Sequence, residues 1–227
     1  MSEATFYDLK GTSGLAHSLA DQVARELGRR IVASRYRPGE LIENEATLAE
    51  RYEVSRTVVR DAVKILVGKG MLDVRRGIGT RVRSRRAWAL LDDDVMAWHL
   101  DAPPRADFLR HLTDMRVIVE PEACRWAAQR GSEEAIDEVM SALSAMEAEE
   151  GSLEDFVIAD ASFHRAILHA ADNEILSAME GLIFSALLIS IRLTNSDARR
   201  NADSLPFHRD VAAAIVAREP EEAAARM

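Results

Sequence analysis

Between residues 44 and 82 the sequence NEATLAERYEVSRTVVRDAVKILVGKGMLDVRRGIGTRV leaves the backbone few options. Ser55 is placed to cap a helix by accepting the N–H of residue 57 or 58. Val59, Ala62, Val63 and Leu66 then recur at i, i+3, i+4 and i+7, which makes one buried helical face. Upstream, Asn44 is a second N-cap, for a helix whose Leu48, Ala49 and Tyr52 face the same core, and Glu53-Val54 forms the turn between the two. Downstream, Gly68 and Gly70 stop the second helix. Met71 to Arg75 and Thr80 to Arg83 read as short strands around Arg76-Gly77-Ile78-Gly79, where glycine permits positive φ and a close backbone approach. Two helices, a tight turn and a Gly-rich hairpin are the layout of a winged helix-turn-helix.

Arg56, Thr57, Arg60 and Lys64 fall opposite the apolar face, at the end of the second helix that would meet base edges in a major groove. Arginine suits that place because its planar fork matches the two acceptors of guanine, or a phosphate. With Ser55 at the cap and Arg76, Gly77 and Gly79 on the wing, these residues are the expected contact set for double-stranded DNA. The alternative is a solvated charged surface, but cap, arginines, apolar face and hairpin all occur in register. A dinucleotide site is rejected, since the Gly-X-Gly follows a strand without opening a helix.

Charge supports this division. Residues 1–86 hold 17 Lys and Arg against 11 Asp and Glu, net +6, whereas residues 87–227 hold 12 against 27, net −15, giving the −9 of the whole chain. A basic module on an acidic body suits a DNA reader whose body stays off the phosphates. The expected organisation is a flexible arm at 1–13, the winged helix-turn-helix at 14–83, a linker and docking helix at 84–103, and an all-helical body at 104–227. Within the first module Leu19, Val23, Leu27 and Ile31 mark an opening helix, and residues 40–42 a short strand. In the linker, Trp88 and Trp98 can dock a helix on the body, and the Asp92–Asp94 run reads as a helix start rather than a metal site. The fold class is mostly α, with a small β-hairpin wing and a C-terminal antiparallel helical bundle. The apolar run 175–193 reads as one central helix. A single cysteine, Cys124, allows no intrachain disulfide and reads as a small buried side chain. With no bilayer-spanning run and no leader, the expectation is a cytoplasmic protein without membrane contact.

In the body, Asp160 and His164 stand four apart and project from one helix face, with His208 in LPFHRDV as a third donor. Such a set can hold one divalent cation; a pair at this spacing is also a common surface ion pair. Arg192, inside an apolar run, needs a partner, and with Asn195 it is a candidate contact to ligand hydroxyls. His99, His111 and His169 are assigned no role.

The segments IVASRYRPGELI, LAERYEVSRTVVRDAVKIL and GIGTRV resemble the DNA-binding domain of the GntR family of bacterial transcription regulators. One departure is Ala46, where members often carry Arg or Lys, so that a common base or phosphate contact is missing. MRVIVEPEACRWAA, the Asp-x-x-x-His helix and the later Phe-His motif resemble the FCD ligand-sensing domain of the FadR subfamily. That resemblance implies a zinc- or nickel-like ion on Asp160, His164 and His208, with a fourth His falling just beyond Met227. It also implies a carboxylate effector met by Arg116, whose alternative is an i, i+4 ion pair with Glu120. GTRVRSRRAWALLDDDVMAWHL looks most like the galactonate-operon repressor group, which points to a sugar acid. The expected function is a ligand-responsive repressor, a homodimer on a palindromic operator and not an enzyme. Its rivals are a metal-dependent enzyme fused to a DNA module and a pure dimerisation domain without effector.

Overall fold

The computed structural model describes residues 18–103, 105–148, 153–194 and 203–227, at 153–154 and 190–194 by backbone alone. The expected arm at 1–13, Asn195 and the Arg192 side chain lie outside the described residues. The chain forms two units, one up to residue 103 and one from residue 104 onward.

In the N-terminal unit, α1 (Leu19–Val32) starts on Ser18, whose hydroxyl accepts the Asp21 N–H while the Asp21 carboxylate accepts the Ser18 N–H. Val23, Leu27 and Ile31 are buried; Leu19, at the first turn, remains exposed. Asn44 caps α2 (Glu45–Tyr52), which ends at Glu53 with a left-handed φ of 54°. Ser55 accepts the Val58 N–H at 3.3 Å to start α3 (Arg56–Gly68), and Val59, Ala62, Val63 and Leu66 are its buried face. β1 (Leu72–Arg75) and β2 (Gly79–Val82) pair antiparallel, Leu72 opposite Val82 and Arg75 opposite Gly79. Gly77 and Gly79 have φ of 77° and 119°, which side-chain-bearing residues rarely adopt. The strand expected at 40–42 is reduced to one bridge, Leu41 to Arg81, flanked by Ile42 N–H to Thr80 O and Val82 N–H to Glu40 O, each 2.9 Å.

Residues 84–103 depart from expectation. Their tryptophans pack into the N-terminal core. Trp88 Nε1 donates to Arg83 O at 3.1 Å, and Trp98 lies so close to α1 that a Cβ at Gly28 would fall 2.4 Å from its ring. Asp92 caps α4 (Asp93–Asp101), as the acidic run predicts for a helix start. Lys69, just past α3, explains the rest of that run: its ammonium contacts Asp92 at 2.6 Å and Asp94 at 2.7 Å and stands 5.7 Å from the Trp98 ring centre.

Among the described residues of the C-terminal unit the regular elements are all helices: α5 (Ala106–Arg130), α6 (Glu133–Ala148), α7 (Leu153–Ala170), α8 (Glu174–Ser177), α9 (Glu180–Thr194), α10 (Leu205–Val216) and α11 (Pro220–Arg226). The single helix expected over 175–193 is two. Asn173 caps one turn by accepting the Ile175 and Leu176 N–H groups, the chain breaks at 178–179, and α9 begins afresh. On α9, Leu182, Ile183, Phe184, Leu188 and Ile189 are buried, so it is central to its unit. α5 passes through Pro121 and ends at Gly131, whose carbonyl accepts Arg218 Nη1 at 2.6 Å. Cys124 is fully buried on α5, and burial pushes its thiol up, away from reactivity. No described helix is long and apolar enough to cross a membrane.

Candidate functional site

Three helices bring the strongest cluster of donors together. α7 supplies Asp160 and His164 one turn apart, α10 supplies His208 at its N-terminal end, and α5 supplies Arg116 and Glu120. One donor atom from each of Asp160, His164 and His208 lies within 4.8 Å of the others. Asp160 Oδ1 is 2.9 Å from His208 Nε2 and 3.6 Å from His164 Nε2. Metal bonds of about 2.0–2.2 Å place neighbouring ligands about 3–3.5 Å apart, so the spacing suits one cation. Phe163 forms a wall, its ring edge-on to both imidazoles, 5.9 Å from His164 and 5.1 Å from His208.

Hydrogen bonding fixes the direction of one ligand. His208 Nδ1 is 2.8 Å from Ser204 O, and since a carbonyl only accepts, that nitrogen carries the proton. With Nδ1 as donor, the outer nitrogen Nε2 and the Asp160 carboxylate are two facing basic centres. Two such centres 2.9 Å apart require a cation between them, a proton or a metal. This is the donor geometry of a histidine ligand held by its outer nitrogen.

His164 stands between two acids. Its Nδ1 is 3.0 Å from Glu120 Oε2, outside hydrogen-bond geometry, and its Nε2 faces Asp160. Burial alone would depress the imidazole, but Glu120 and Asp160 outweigh it and raise it to about 9. Burial would likewise raise Glu120, but His164 and Arg116 hold it at about 2. Burial opposes ionisation of Asp160 too, yet the two imidazoles keep its carboxyl well below the usual carboxylate range. The cluster is thus charged and largely hidden from water, a state that only mutual pairing stabilises.

Arg116 makes the i, i+4 ion pair with Glu120 that was the alternative to an effector contact. It forks onto Glu120, with Nη2 at 3.1 Å from Oε2, and the same nitrogen reaches within 3.4 Å of His164 Nε2. The i, i+4 pair is real, and it stands at the edge of the donor cluster. Phe163 was not singled out from sequence, and Glu120 only as the ion-pair partner of Arg116. The Arg-x-x-x-Glu spacing is visible there, but that Glu120 faces a histidine 44 positions away is not.

In the N-terminal unit, Ser55 is spent on the cap, Arg56 and Thr57 are exposed at the start of α3, and Arg76 with Gly77 and Gly79 forms the exposed tip of the wing. Lys64 pairs with Asp61 at 2.9 Å. Arg60 forks onto Glu45 of α2, Nη2 to Oε2 at 2.7 Å and Nε to Oε1 at 3.1 Å. Among the arginines of α1, Arg29 meets Asp101 at 3.3 Å and Arg30 stacks over Tyr36, so both serve the unit's own packing.

Comparison with known proteins places both units. The model of bacterial regulatory proteins, gntR family, matches residues 19–82, and that of the FCD domain matches residues 111–227. The galactonate operon transcriptional repressor of Escherichia coli K12 is 32% identical over 165 residues, spanning 73% of this chain and 72% of that protein. YieP of the same organism, an HTH-type transcriptional regulator, is 31% identical over 202 residues, 88% of this chain and 86% of its own. Among solved structures, that of Lar, which controls expression of the Listeria monocytogenes agr system, shares the fold with a TM-score of 0.63 at 18% identity, covering 94% of this chain and 93% of that one.

Proposed function

Because the chain belongs to the GntR family of bacterial regulatory proteins and carries an FCD domain, it is a DNA-binding transcription regulator and not an enzyme, and we propose that it is a repressor released or tightened by a small carboxylate. The carboxylate binds in the C-terminal unit beside a divalent cation held by Asp160, His164 and His208. The observation that carries this reading is the convergence of His208 Nε2, its ring oriented by Ser204 O, and His164 Nε2 on the Asp160 carboxylate, 2.9 Å and 3.6 Å away. A bound ion supplies a fixed positive charge for an acid; imidazole donors favour zinc or nickel over magnesium or calcium.

Arg116 is the partner for the effector carboxylate, since its guanidinium already stands at the cluster's edge. A hydroxy acid suits such a site because its carboxylate and hydroxyl can share one ion. The galactonate repressor among the relatives makes sugar acids the first class to test. Arg192 and Asn195 remain proposed contacts to its hydroxyls.

One winged helix offers few base contacts, so the operator is proposed to be palindromic and the protein a homodimer. Val117 and Ile118, 69% and 75% exposed on α5, are apolar surface that pairing with a second copy would bury. The effector acts only through its different affinity for the two states it connects.

The test is operator binding measured by fluorescence anisotropy, with and without aldonates and dicarboxylates. An acid that shifts the midpoint in wild type but not in Arg116→Ala supports the reading. DNA binding indifferent to every acid would leave the C-terminal unit a dimerisation domain.

A further inference from the structure

We infer that Glu45 is a positioning residue for base readout, one that aims Arg60 and so sets the sequence preference of the reading head. The inference rests on the DNA-binding reading above. Glu45 is the first residue of α2, directly after the Asn44 cap, where the helix dipole favours a negative charge. Arg60 lies one turn beyond Arg56 on the exposed face of α3, 15 residues away in sequence. Their fork is bidentate, yet both side chains are open to solvent, Arg60 at 57% and Glu45 at 42%.

An acid on a surface that must approach phosphates weakens DNA binding unless it does something there. The geometry says what. The carboxylate occupies the Nε–Nη2 edge of the guanidinium, leaving the Nη1–Nη2 edge to offer two parallel donors. That second edge matches guanine O6 and N7. A lone surface arginine samples many rotamers and reaches for phosphates as readily as for bases. Arg60 is held in one orientation before DNA arrives, and Glu45 repels the phosphates that would compete for it. Ala46, next to Glu45, places no cation of its own at this end of α2. Base readout here therefore falls to α3, with its orientation set by α2.

Selection of binding sites from a randomised duplex pool tests this, with wild type, Glu45→Gln, Glu45→Ala and Arg60→Ala compared after confirming equal melting temperatures. Wild type enriches a half-site containing a guanine that Arg60→Ala no longer prefers. Both Glu45 variants keep the other positions and lose that guanine preference by about tenfold. Their affinity for an unrelated duplex rises, and the slope of log K against log salt steepens by about one, as Arg60 turns to a phosphate. Undiminished guanine preference in Glu45→Gln overturns the inference, as does an equal loss on every sequence. Loss of a cytosine preference instead would mean that Glu45 itself touches a base. If wild type enriches no motif, the DNA-reading assignment fails and this one with it.

Discussion

Asp160 is the residue on which most of the C-terminal unit's polar chemistry depends, since it faces both imidazoles. Replacing Asp160 or His164 by Ala is expected to lower divalent metal content of the purified protein, read by elemental analysis, while leaving DNA binding without effector largely intact. The pairing of Asp160 with His164 was legible because four residues on a helix is one face. His208 could only be nominated, since 44 residues and several turns separate it from His164, and Glu120 was masked by its local pairing with Arg116. In the N-terminal unit, Glu43 gives a pH test. Burial opposes its ionisation, but the Tyr36 hydroxyl, donating at 2.7 Å, and the Arg51 guanidinium lower it below its ordinary 4.5. A depressed carboxylate stabilises above its unfolded value, and that contribution is lost as pH falls through the folded one. The N-terminal unit of wild type is therefore expected to lose stability below about pH 4.5 more steeply than Glu43→Gln, by acid titration of its unfolding midpoint.

α3 and the wing were readable as elements because cap, period and glycines agree at every level. At this scale Arg56→Ala is expected to cost about 1–3 kcal/mol in operator binding if Arg56 reads a base, with the loss confined to its cognate position. An equal loss on all duplexes would mark a phosphate contact. α4 was foreseen as a helix, but not that the N-terminal core would take up its tryptophans. Its two tryptophans announce burial without saying against what, and the answer lies in Gly28, whose missing side chain leaves the seat for Trp98. Gly28→Ala is expected to push Trp98 off α1 and destabilise the N-terminal unit by about 1–3 kcal/mol, measured by denaturant unfolding. Unchanged stability would mean that the helix is only loosely held. The break between α8 and α9 was missed for a related reason. An apolar run carries no mark where one helix ends and the next begins, whereas the Asn173 cap that starts the first was visible.

Across the whole molecule the chain divides into two compact units, and the charge asymmetry along the sequence announced two parts but counted the acidic residues 87–103, which belong to the N-terminal unit, with the body. The family assignment makes the first unit a DNA-binding module and the chain a transcription regulator. What we propose the second unit to sense rests on a buried set of carboxylate and imidazole groups with an arginine at its edge. Thermal unfolding with galactonate and other aldonates, each with and without a chelator, tests this most directly, because ligand, metal and their coupling are read in one signal. The account predicts that at least one sugar acid raises the melting temperature of wild type, that the chelator abolishes the rise, and that a protein carrying both Asp160→Ala and His164→Ala shows none. A rise that survives chelation and persists in the doubly substituted protein, or no response to any acid, would contradict it.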